Sequence, residues 1–243
     1  VIHGIRGATQ IAVLDGFKGY HQFRNTERAS NYLIIITHCG LYRYTRMPFG
    51  PKNGPSFFQR MMDKTFYQEI RAGWMTVYID DIIIHSNSPA EHADHLHQVL
   101  SKLEKINMTL AFKKCYFGFT SAKVLGHIVS GLLMSVDGNK VMAIKHIPPP
   151  TCVEDVQSFL GMCGYYRQYL KNYQLVALSL TRMVRRSEVF EWTYERQKAF
   201  DKLKAMLEEA PSLSLPDFDK PFILYTDASF NGLGAALHQK QLI

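Results

Sequence analysis

The chain has 243 residues, of which 47% are apolar and 20% charged, and its formal net charge is +7. A chain of this length and composition can bury a sizeable core, which excludes a disordered tail, a collagen-like repeat and a small disulfide scaffold. Its four cysteines form no CxxC pair, so neither a structural zinc site nor a disulfide framework is indicated. No apolar run approaches the ~20 residues of a membrane helix, so we expect an intracellular protein, cytoplasmic or nuclear, without membrane association.

The excess positive charge lies in the middle of the chain. Residues 1–100 carry 10 basic and 8 acidic side chains, residues 101–190 carry 12 and 5, and residues 191–243 carry 6 and 8. Two interpretations of the central block stay open: a solvated basic surface, or a face that binds nucleic-acid phosphates.

Apolar patterns predict the elements of the first part of the chain. Gln10–Asp15 is an apolar run that ends in a carboxylate, which predicts a buried strand. The runs Tyr32–Thr37 and Leu41–Arg46 predict a hairpin. The proline- and glycine-rich segment Pro48–Pro55 predicts an irregular loop, after which Ser56 is expected to cap a helix.

The remaining segments predict further strands and helices. Thr76–Ser86 predicts a hairpin with paired carboxylates at its turn, and Pro148–Pro150 predicts a hinge or domain boundary. Helices are predicted at Pro89–Ile106, Val153–Tyr173 and Tyr194–Glu209, and strands at Lys123–Ser130 and Pro221–Asp227.

Three aspartates, Asp15, Asp80 and Asp81, lie at the ends of apolar strands. Burying an unpaired carboxylate costs free energy unless the group is paired or bound to a metal ion. All-oxygen ligands favour Mg²⁺ or Mn²⁺ over zinc, and two such ions about 3.5–4 Å apart activate a hydroxyl and stabilise a leaving pyrophosphate. The alternative for the Asp80–Asp81 pair alone is a turn that faces solvent.

A series of sequence words in fixed order resembles the reverse transcriptase of gypsy-class LTR retrotransposons over almost the entire chain. The words are LDGFKGYHQ, MPFGPKNGPSFFQRMM, VYIDDIIIHS, EHADHLHQVLSKL, KCYFGFTSAKVLGHIVS, SFLGMCGYYRQYL, FEWTYERQKAFDKLKAML and LPDFDKPFILYTDASFNGLGAAL. The resemblance implies an α+β fold: a polymerase palm with an antiparallel sheet packed on helices, then a helical thumb and a truncated RNase H-like strand. It also implies RNA-directed DNA polymerase activity.

The resemblance divides the chain into three parts. Residues 1–130 are expected to form the palm with a residual fingers hairpin at about 25–49. Residues 131–190 are expected to form the thumb, and residues 191–243 a connecting helix and the truncated start of an RNase H-like domain, with Asp227 as the remnant of its first metal ligand. Few residues follow Asp227, so we expect RNase H activity to be absent.

The resemblance also assigns the catalytic residues. Asp15, Asp80 and Asp81 resemble the family's catalytic carboxylates, and together with the Gly16 carbonyl they are expected to hold two Mg²⁺ or Mn²⁺ ions. The expected partners are dNTPs and an RNA or DNA template with its primer. Association with other retroelement polyprotein parts, within a retroelement particle, stays open.

Substrate residues follow from the same comparison of words. Tyr20 matches the aromatic gate against the nucleotide sugar, whose flat ring would exclude a ribose 2′-hydroxyl, although a core aromatic is the alternative. The loop beside the nucleotide and template is matched by Pro48, Phe49 and Gly50, and a polar helix residue near the template is matched by Gln59. Lys114 either lies near the triphosphate or is a surface lysine.

Two further groups of residues belong to the second half of the comparison. Leu125, Gly126 and His127 match the primer-grip word that positions the primer 3′ end. The basic block after this word corresponds to the family's thumb, with Tyr165, Tyr166 and Arg167 as candidates for contact with phosphates, or for core packing in the case of the tyrosines.

Two features weaken the functional prediction. The family's basic fingers segment precedes the strand of the first aspartate, and in this sequence only fourteen residues stand before Asp15. At Tyr32–Ile35 an aromatic and apolar run replaces the family's KTAF. We therefore expect weak or no activity from this chain, and two alternatives stay open: a decayed or co-opted product that only binds nucleic acid, and a structural subunit of a complete polymerase.

A further cluster, His92, Asp94, His95 and His97, resembles a metal box, but helical packing is the preferred interpretation.

Overall fold

A computed structural model describes residues 2–184, 190–229 and 232–240, which leaves Arg185 and Arg186 of the basic block outside the described residues. The chain forms two compact units. The first comprises Val1–Thr120, Ser130–Leu132 and Ser214–Ile243, and the second comprises Ser121–Val129 and Leu133–Leu213. Helices and antiparallel sheets occur together, so the predicted α+β class is confirmed. The division into palm, thumb and connecting segment stays a prediction.

The helices and strands have the following bounds. The helices are α1 (Gly19–Gln22), α2 (Glu27–Tyr32), α3 (Gly54–Thr65), α4 (Tyr67–Arg71), α5 (Pro89–Lys105), α6 (Gly138–Lys145), α7 (Val153–Tyr165), α8 (Tyr173–Val176), α9 (Leu178–Met183) and α10 (Tyr194–Glu208). The strands are β1 (Gln10–Asp15), β2 (Ile34–Thr37), β3 (Gly40–Arg43), β4 (Met75–Tyr78), β5 (Asp81–Ser86), β6 (Tyr116–Phe119), β7 (Ser121–Val124), β8 (His127–Ser130), β9 (Leu133–Val136), β10 (Leu213–Ser214), β11 (Ile223–Ser229) and β12 (Gly232–His238).

The main sheet of the first unit has the strand order β4-β5-β1-β6. Strand β1 pairs antiparallel with β5, in a register that runs from Gln10 opposite Ser86 to Asp15 opposite Asp81. The four middle residues of β1 and the last five of β5 are buried. Both faces of these strands are therefore covered, which explains why their sequences are continuous apolar runs rather than alternating ones.

Helices α3 and α5 supply the apolar side chains that cover one face of this sheet. Phe58 and Met62 of α3 and Val99 and Leu103 of α5 are at most 2% exposed and belong to one core cluster with the sheet. The predicted start of α3 was wrong by three residues: the helix begins at Gly54, with Pro55 in its first turn, and not after a cap at Ser56. Proline is favoured in a first helical turn because its missing N–H has no partner there.

The hairpin predicted from the runs Tyr32–Thr37 and Leu41–Arg46 is confirmed as β2 and β3, which pair from Ile34 opposite Arg43 to Thr37 opposite Gly40. Its assignment to a residual fingers region stays a prediction. Every residue of β3 and all but one of β2 are exposed. Ile36 is 84% exposed and Leu41 69%. In the described part of the chain, this two-stranded sheet therefore exposes apolar side chains to solvent.

The second unit corrects two predictions of secondary structure. Lys123–Ser130 is not one strand but parts of β7 and β8, because Leu125 and Gly126 have φ of +47° and +75° and turn the chain between them. The predicted helix Val153–Tyr173 ends at Tyr165, and a 3₁₀ turn follows at Arg167–Tyr169. Neither a proline nor a left-handed glycine marks this helix end in the sequence.

A separate core holds the helices of the second unit together. Phe159 of α7 packs on Phe200 of α10 with ring centroids 4.4 Å apart, and Leu203 and Leu207 of α10 are fully buried. Helix α10 matches its prediction to within one residue. The prolines Pro148–Pro150 lie inside this unit rather than at a boundary between the two units.

Part of the central basic block is paired with acidic groups within the second unit. Lys123 forms an ion pair with the nearly buried Asp137, and Lys145 lies 2.6 Å from Glu208.

At the C-terminal end, the predicted strand is confirmed as β11, which pairs with β12. Among the described residues, no helix is long and apolar enough to cross a membrane.

Two histidines of the segment that resembled a metal box, His92 and His95, are buried in the first unit, as the preferred interpretation predicted, whereas His97 is exposed. Ser86 Oγ lies 2.9 Å from Nδ1 of both His92 and His95, and His95 stacks on Trp74 with centroids 3.9 Å apart. Next to Ser86, the buried His85 has a pKa lowered to about 4, first by burial, then by His95 and His92, with Glu91 opposing. The side chain of His85 is therefore neutral in the folded state at pH 7.

This lowered pKa predicts acid sensitivity of the fold. The unfolded state binds a proton at His85 below about pH 6.5 and the folded state only below about pH 4, so stability falls as pH drops through this window, by about 3 kcal/mol. Unfolding by urea between pH 4 and pH 7.5 measures this dependence, which we expect to be shallower in His85→Asn. His97→Asn, on the exposed side of α5, is the matched control. An acid dependence that His85→Asn leaves unchanged would contradict the assignment.

Candidate active site

The structure brings the three predicted catalytic aspartates together at one end of the main sheet. Asp15 is the last residue of β1 and pairs directly with Asp81, the first residue of β5. Asp80 lies in the two-residue turn between β4 and β5, next to the Tyr78–Asp81 pair. The predicted hairpin with carboxylates at its turn is therefore confirmed, and the strand register places the third carboxylate against it.

The carboxylates repel one another in a partly buried setting. Burial raises the pKa of Asp80, Asp15 and Asp81 raise it further, and Lys114 opposes the rise. The pKa of Asp81 is raised by burial and by Asp15, again with Lys114 opposing. Asp80 Oδ1 is buried and has no hydrogen-bond partner among the described residues. The ammonium of Lys114, on a side chain that is 70% exposed, lies 3.5 Å from Asp15 Oδ2.

The hairpin turn that carries Asp80 has a strained backbone. Ile79 has φ of +52°, a region that β-branched residues rarely adopt and that costs about 1–3 kcal/mol. Gln59 of α3 holds this turn: its Oε1 accepts the Ile79 N–H at 2.7 Å, and its Nε2 donates to the Val77 carbonyl at 3.0 Å. The predicted contact of Gln59 with the template stays a prediction, whereas its contact with the hairpin is a structural fact that the sequence did not indicate.

Gly19 is a second residue whose part in the site was not predicted. A Cβ atom at Gly19 would lie 2.5 Å from Asp80 Oδ1 and 3.0 Å from the Phe58 ring. Such distances require neighbouring atoms to move, so the close approach of α1 to Asp80 depends on a residue without a side chain. The glycine in the GYHQ word is the sequence signal that marks this position.

Tyr20, the predicted gate, lies beside these carboxylates with a buried ring. The ring is 8% exposed, its centroid is 5.1 Å from those of both Phe49 and Phe58, and it belongs to the core cluster. Burial, and then the charge of Asp80, raise the pKa of its hydroxyl. The core packing that stood as the alternative is therefore present, and a role as sugar gate stays a prediction.

The predicted loop residues differ in their exposure. Pro48 is buried, whereas Phe49 is 65% exposed and Gly50 is exposed with φ of +107°. Asp15, Asp80, Phe49 and Lys114 all line an open cleft of about 560 Å³. A larger cleft of about 720 Å³ belongs to the second unit, and none of the predicted site residues lines it. The smaller cleft is therefore the candidate active site, because it contains the predicted carboxylates Asp15 and Asp80 together with Lys114, although it is not the larger of the two.

Gln22 ties two backbone segments at this cleft and was not predicted to do so. Its Nε2 donates to the carbonyls of Phe17 and Thr109 at 2.6 and 2.9 Å, and its Oε1 accepts the Thr109 N–H at 2.7 Å. Gly16 lies opposite Leu110 in an isolated antiparallel bridge. The hydrogen bonds of this bridge run from the Phe17 N–H to the Thr109 carbonyl and from the Ala111 N–H to the Asp15 carbonyl, so neither uses the Gly16 carbonyl. This leaves the carbonyl compatible with its predicted role as a metal ligand.

The donor chemistry of the site fits a divalent cation. The candidate ligands are carboxylate oxygens of Asp15, Asp80 and Asp81 and one carbonyl oxygen, the hard donor set that Mg²⁺ and Mn²⁺ prefer. The buried, unpartnered Asp80 Oδ1 and the raised carboxyl pKa values are features that a bound cation would relieve. In the part of the chain that is described, no three His, Cys, Asp or Glu side chains are already arranged as a metal-ligand set.

The remaining predicted residues lie elsewhere. Leu125 and Gly126 form the β7–β8 turn in the second unit, and His127 begins β8 with its side chain buried. Asp227 lies in the middle of β11, opposite Gly234, and is exposed. None of these residues lines the cleft that contains Asp15 and Asp80.

Comparison with known proteins agrees with this geometry. The family profile described as "Reverse transcriptase (RNA-dependent DNA polymerase)" matches residues 2–129, and that described as "RNase H-like domain found in reverse transcriptase" matches residues 192–242. The chain therefore belongs to the reverse transcriptase family. The second match confirms the predicted RNase H-like character of the C-terminal segment.

Curated relatives identify the kind of reverse transcriptase. The chain is 40% identical to the Pol polyprotein of transposon 297 of Drosophila melanogaster over 227 residues, which are 93% of this chain and 21% of that protein. It is 34% identical to the Pol polyprotein of transposon gypsy of the same species over 252 residues, which cover 99% of this chain and 24% of that protein. The predicted resemblance to gypsy-class retrotransposons is confirmed, and the chain spans less than a quarter of these relatives.

Solved structures show the same fold. The foamy viral protease-reverse transcriptase in complex with double-stranded DNA matches with a TM-score of 0.83 at 20% identity, over 95% of this chain and 43% of that chain. The same viral enzyme in complex with an RNA/DNA hybrid matches with a TM-score of 0.83 at 19% identity, over 98% and 35% of the two chains.

The close approach at Gly19 predicts a specific sensitivity to a methyl group. Gly19→Ala is expected to displace the Asp80 carboxylate and to lower any activity that depends on it by about tenfold or more, because a small misplacement of a catalytic group is costly. Gly138→Ala is the matched control, since nothing lies within 4 Å of a Cβ atom at Gly138. Equal activities of the two variants, both folded by circular dichroism, would contradict the proposed constraint.

Proposed function

We propose that this chain catalyses templated DNA synthesis from dNTPs on an RNA or DNA template, as an RNA-directed DNA polymerase. The observation that carries the proposal is the convergence of Asp15, Asp80 and Asp81 beside an open cleft, in a chain of the reverse transcriptase family. In the reaction, the primer 3′-oxygen attacks the α-phosphorus, the bond to pyrophosphate breaks, and the proton of the 3′-hydroxyl is lost.

The three carboxylates would supply the negative charge that holds two Mg²⁺ or Mn²⁺ ions, and the Gly16 carbonyl would be a further ligand. When bound, such ions lower the pKa of the attacking hydroxyl and stabilise charge on the leaving group. The remaining contribution of the chain is positional: Gln59 and Gly19 fix the turn and its approach to α1, so that the carboxylates need no rearrangement during the reaction.

The cleft residues supply contacts for the nucleotide. Lys114 is exposed at the cleft and close to Asp15, where its ammonium suits a triphosphate oxygen. Phe49 presents an exposed ring beside Tyr20, and together with Pro48 and Gly50 it would bound the nucleotide and template. The buried Tyr20 ring would exclude a ribose 2′-hydroxyl and so select deoxynucleotides.

The partners proposed for the second unit are the primer and its template. The Leu125–Gly126 turn and His127 would hold the primer 3′ end. Arg167 is exposed in the 3₁₀ turn after α7 and suits contact with a phosphate. Association with other polyprotein parts in a retroelement particle belongs to the same proposal, because the relatives are polyproteins.

The activity is tested by primer extension on an RNA template with Mg²⁺ and, separately, with Mn²⁺. We expect weak incorporation of dNTPs by the unaltered chain, because the run Tyr32–Ile35 replaces the family's KTAF. We expect a loss of about a hundredfold or more in Asp80→Asn, because the substitution removes charge from the metal site. Asp94→Asn is the matched control: Asp94 is exposed on α5 and outside the site, so its variant is expected to stay within about twofold of the unaltered chain.

A second candidate function, binding of nucleic acid without catalysis, is favoured by the composition of the β2–β3 hairpin. The run Tyr32–Ile35 replaces the family's KTAF, and the hairpin presents apolar side chains such as Ile36 and Leu41 to solvent. Salt-sensitive duplex binding without incorporation above background in either metal would select this function and overturn the first. Incorporation that Asp80→Asn abolishes would select the polymerase.

A further inference from the structure

Three tyrosine hydroxyls of the second unit form hydrogen bonds with the two residues of the β7–β8 turn and with the residue that follows it. The Tyr165 hydroxyl donates to the Leu125 carbonyl at 2.5 Å, and the Tyr166 hydroxyl donates to the Gly126 carbonyl at 3.0 Å. The Tyr169 hydroxyl lies 2.9 Å from His127 Nδ1. We call these three tyrosines the tyrosine clasp.

The turn held by the clasp has a backbone that its sequence does not favour. The loop between β7 and β8 has two residues, and both have positive φ: +47° at Leu125 and +75° at Gly126. Hairpin loops of this kind favour Asn or Gly at the first position, because a Cβ atom is disfavoured at positive φ. Leucine there is strained, and such strain persists only where surrounding contacts hold it.

The rings of the clasp pack around the imidazole that follows the turn. The His127 ring stacks on Tyr165 with centroids 5.2 Å apart and an interplanar angle of 18°, and meets Tyr166 edge-on at 5.5 Å. His127, Tyr166 and Tyr169 are each at most 5% exposed. The turn is therefore bound through both of its carbonyls and through the next side chain.

The protonation states of these side chains preserve their hydrogen bonds at neutral pH. Burial lowers the pKa of His127, so its ring is neutral and its Nδ1 can share a hydrogen bond with Tyr169. Burial raises the pKa of Tyr166 and raises that of Tyr169 to about 12, so both hydroxyls retain their protons.

We propose that Tyr165, Tyr166 and Tyr169 are positioning residues that fix the Leu125–His127 backbone against which the primer 3′ end is held. The inference rests on the proposed function, because that function makes this turn the primer grip. It changes the expected role of Tyr165 and Tyr166: they act on the protein backbone rather than on the phosphates of the duplex.

The substitutions Tyr165→Phe, Tyr166→Phe and Tyr169→Phe test the proposal, because each removes one hydroxyl and keeps the ring. Tyr173→Phe is the matched control: its hydroxyl donates to the Leu160 carbonyl at 3.3 Å, a comparable bond outside the turn. Thermal unfolding monitored by circular dichroism sets a working temperature at which all four variants are folded.

The first readout is single-turnover addition of one nucleotide to a bound primer–template. We expect each clasp variant to lower the rate at saturating dNTP at least fivefold, with the dissociation constant of the duplex and the KM for dNTP within twofold of the unaltered chain. Tyr173→Phe is expected to leave all three quantities within twofold. A purely structural role would change the clasp variants and Tyr173→Phe alike, and this outcome would overturn the proposal.

The second readout does not require catalysis. A duplex with 2-aminopurine at the primer 3′ terminus reports, by fluorescence, how the bound terminus is held. We expect the unaltered chain and Tyr173→Phe to give the same fluorescence intensity. We expect the clasp variants to give a different intensity, closer to that of the free duplex. Identical emission from all variants overturns the proposal. If the unaltered chain adds no nucleotide but the fluorescence separates the variants, the proposed polymerase activity fails and the clasp stands.

Discussion

Repulsion among three carboxylates is the constraint on which the first unit depends. The antiparallel register of β1 and β5 places Asp15 directly opposite Asp81, and the turn adds Asp80 with one oxygen buried and without a partner among the described residues. Burial, and then the charges of the neighbouring carboxylates, raise the pKa values of Asp80 and Asp81, and the ammonium of Lys114 only partly opposes this rise. A fold selected for stability alone would disperse these charges, so their arrangement supports the proposal of a site built for cations.

The surroundings of the turn explain how this arrangement persists. Ile79 stays at positive φ because Gln59 bonds its N–H and a carbonyl of the same hairpin, from a helix whose Phe58 and Met62 are anchored in the core. Gly19 leaves room for Asp80. The second unit repeats the same principle at a different turn, where Leu125 is strained and hydroxyl groups hold the carbonyls. In each case a strained two-residue turn is fixed by side chains distant in sequence, which is typical of functional sites.

The sequence predicted those features that depend on local pattern. Strand β1, the carboxylate hairpin and helix α10 follow from continuous apolar runs or 3.6-residue periodicity, and the structure confirms them. The split of Lys123–Ser130 was missed because leucine at positive φ carries no turn signal, and the conformation depends on contacts some 40 residues away. The hairpin contact of Gln59 was missed for the same reason: a polar residue on a helix does not reveal which carbonyl it will meet.

Binding of Mn²⁺ tests, without reference to catalysis, whether Asp15, Asp80 and Asp81 form a divalent-cation site. Electron paramagnetic resonance of free Mn²⁺, titrated with the chain at pH 7.5, gives the affinity. We expect saturable binding that raises the thermal unfolding temperature, with an affinity that falls about tenfold or more in Asp15→Asn. Equal Mn²⁺ affinity and equal thermal stabilisation of the unaltered chain and Asp15→Asn would contradict it.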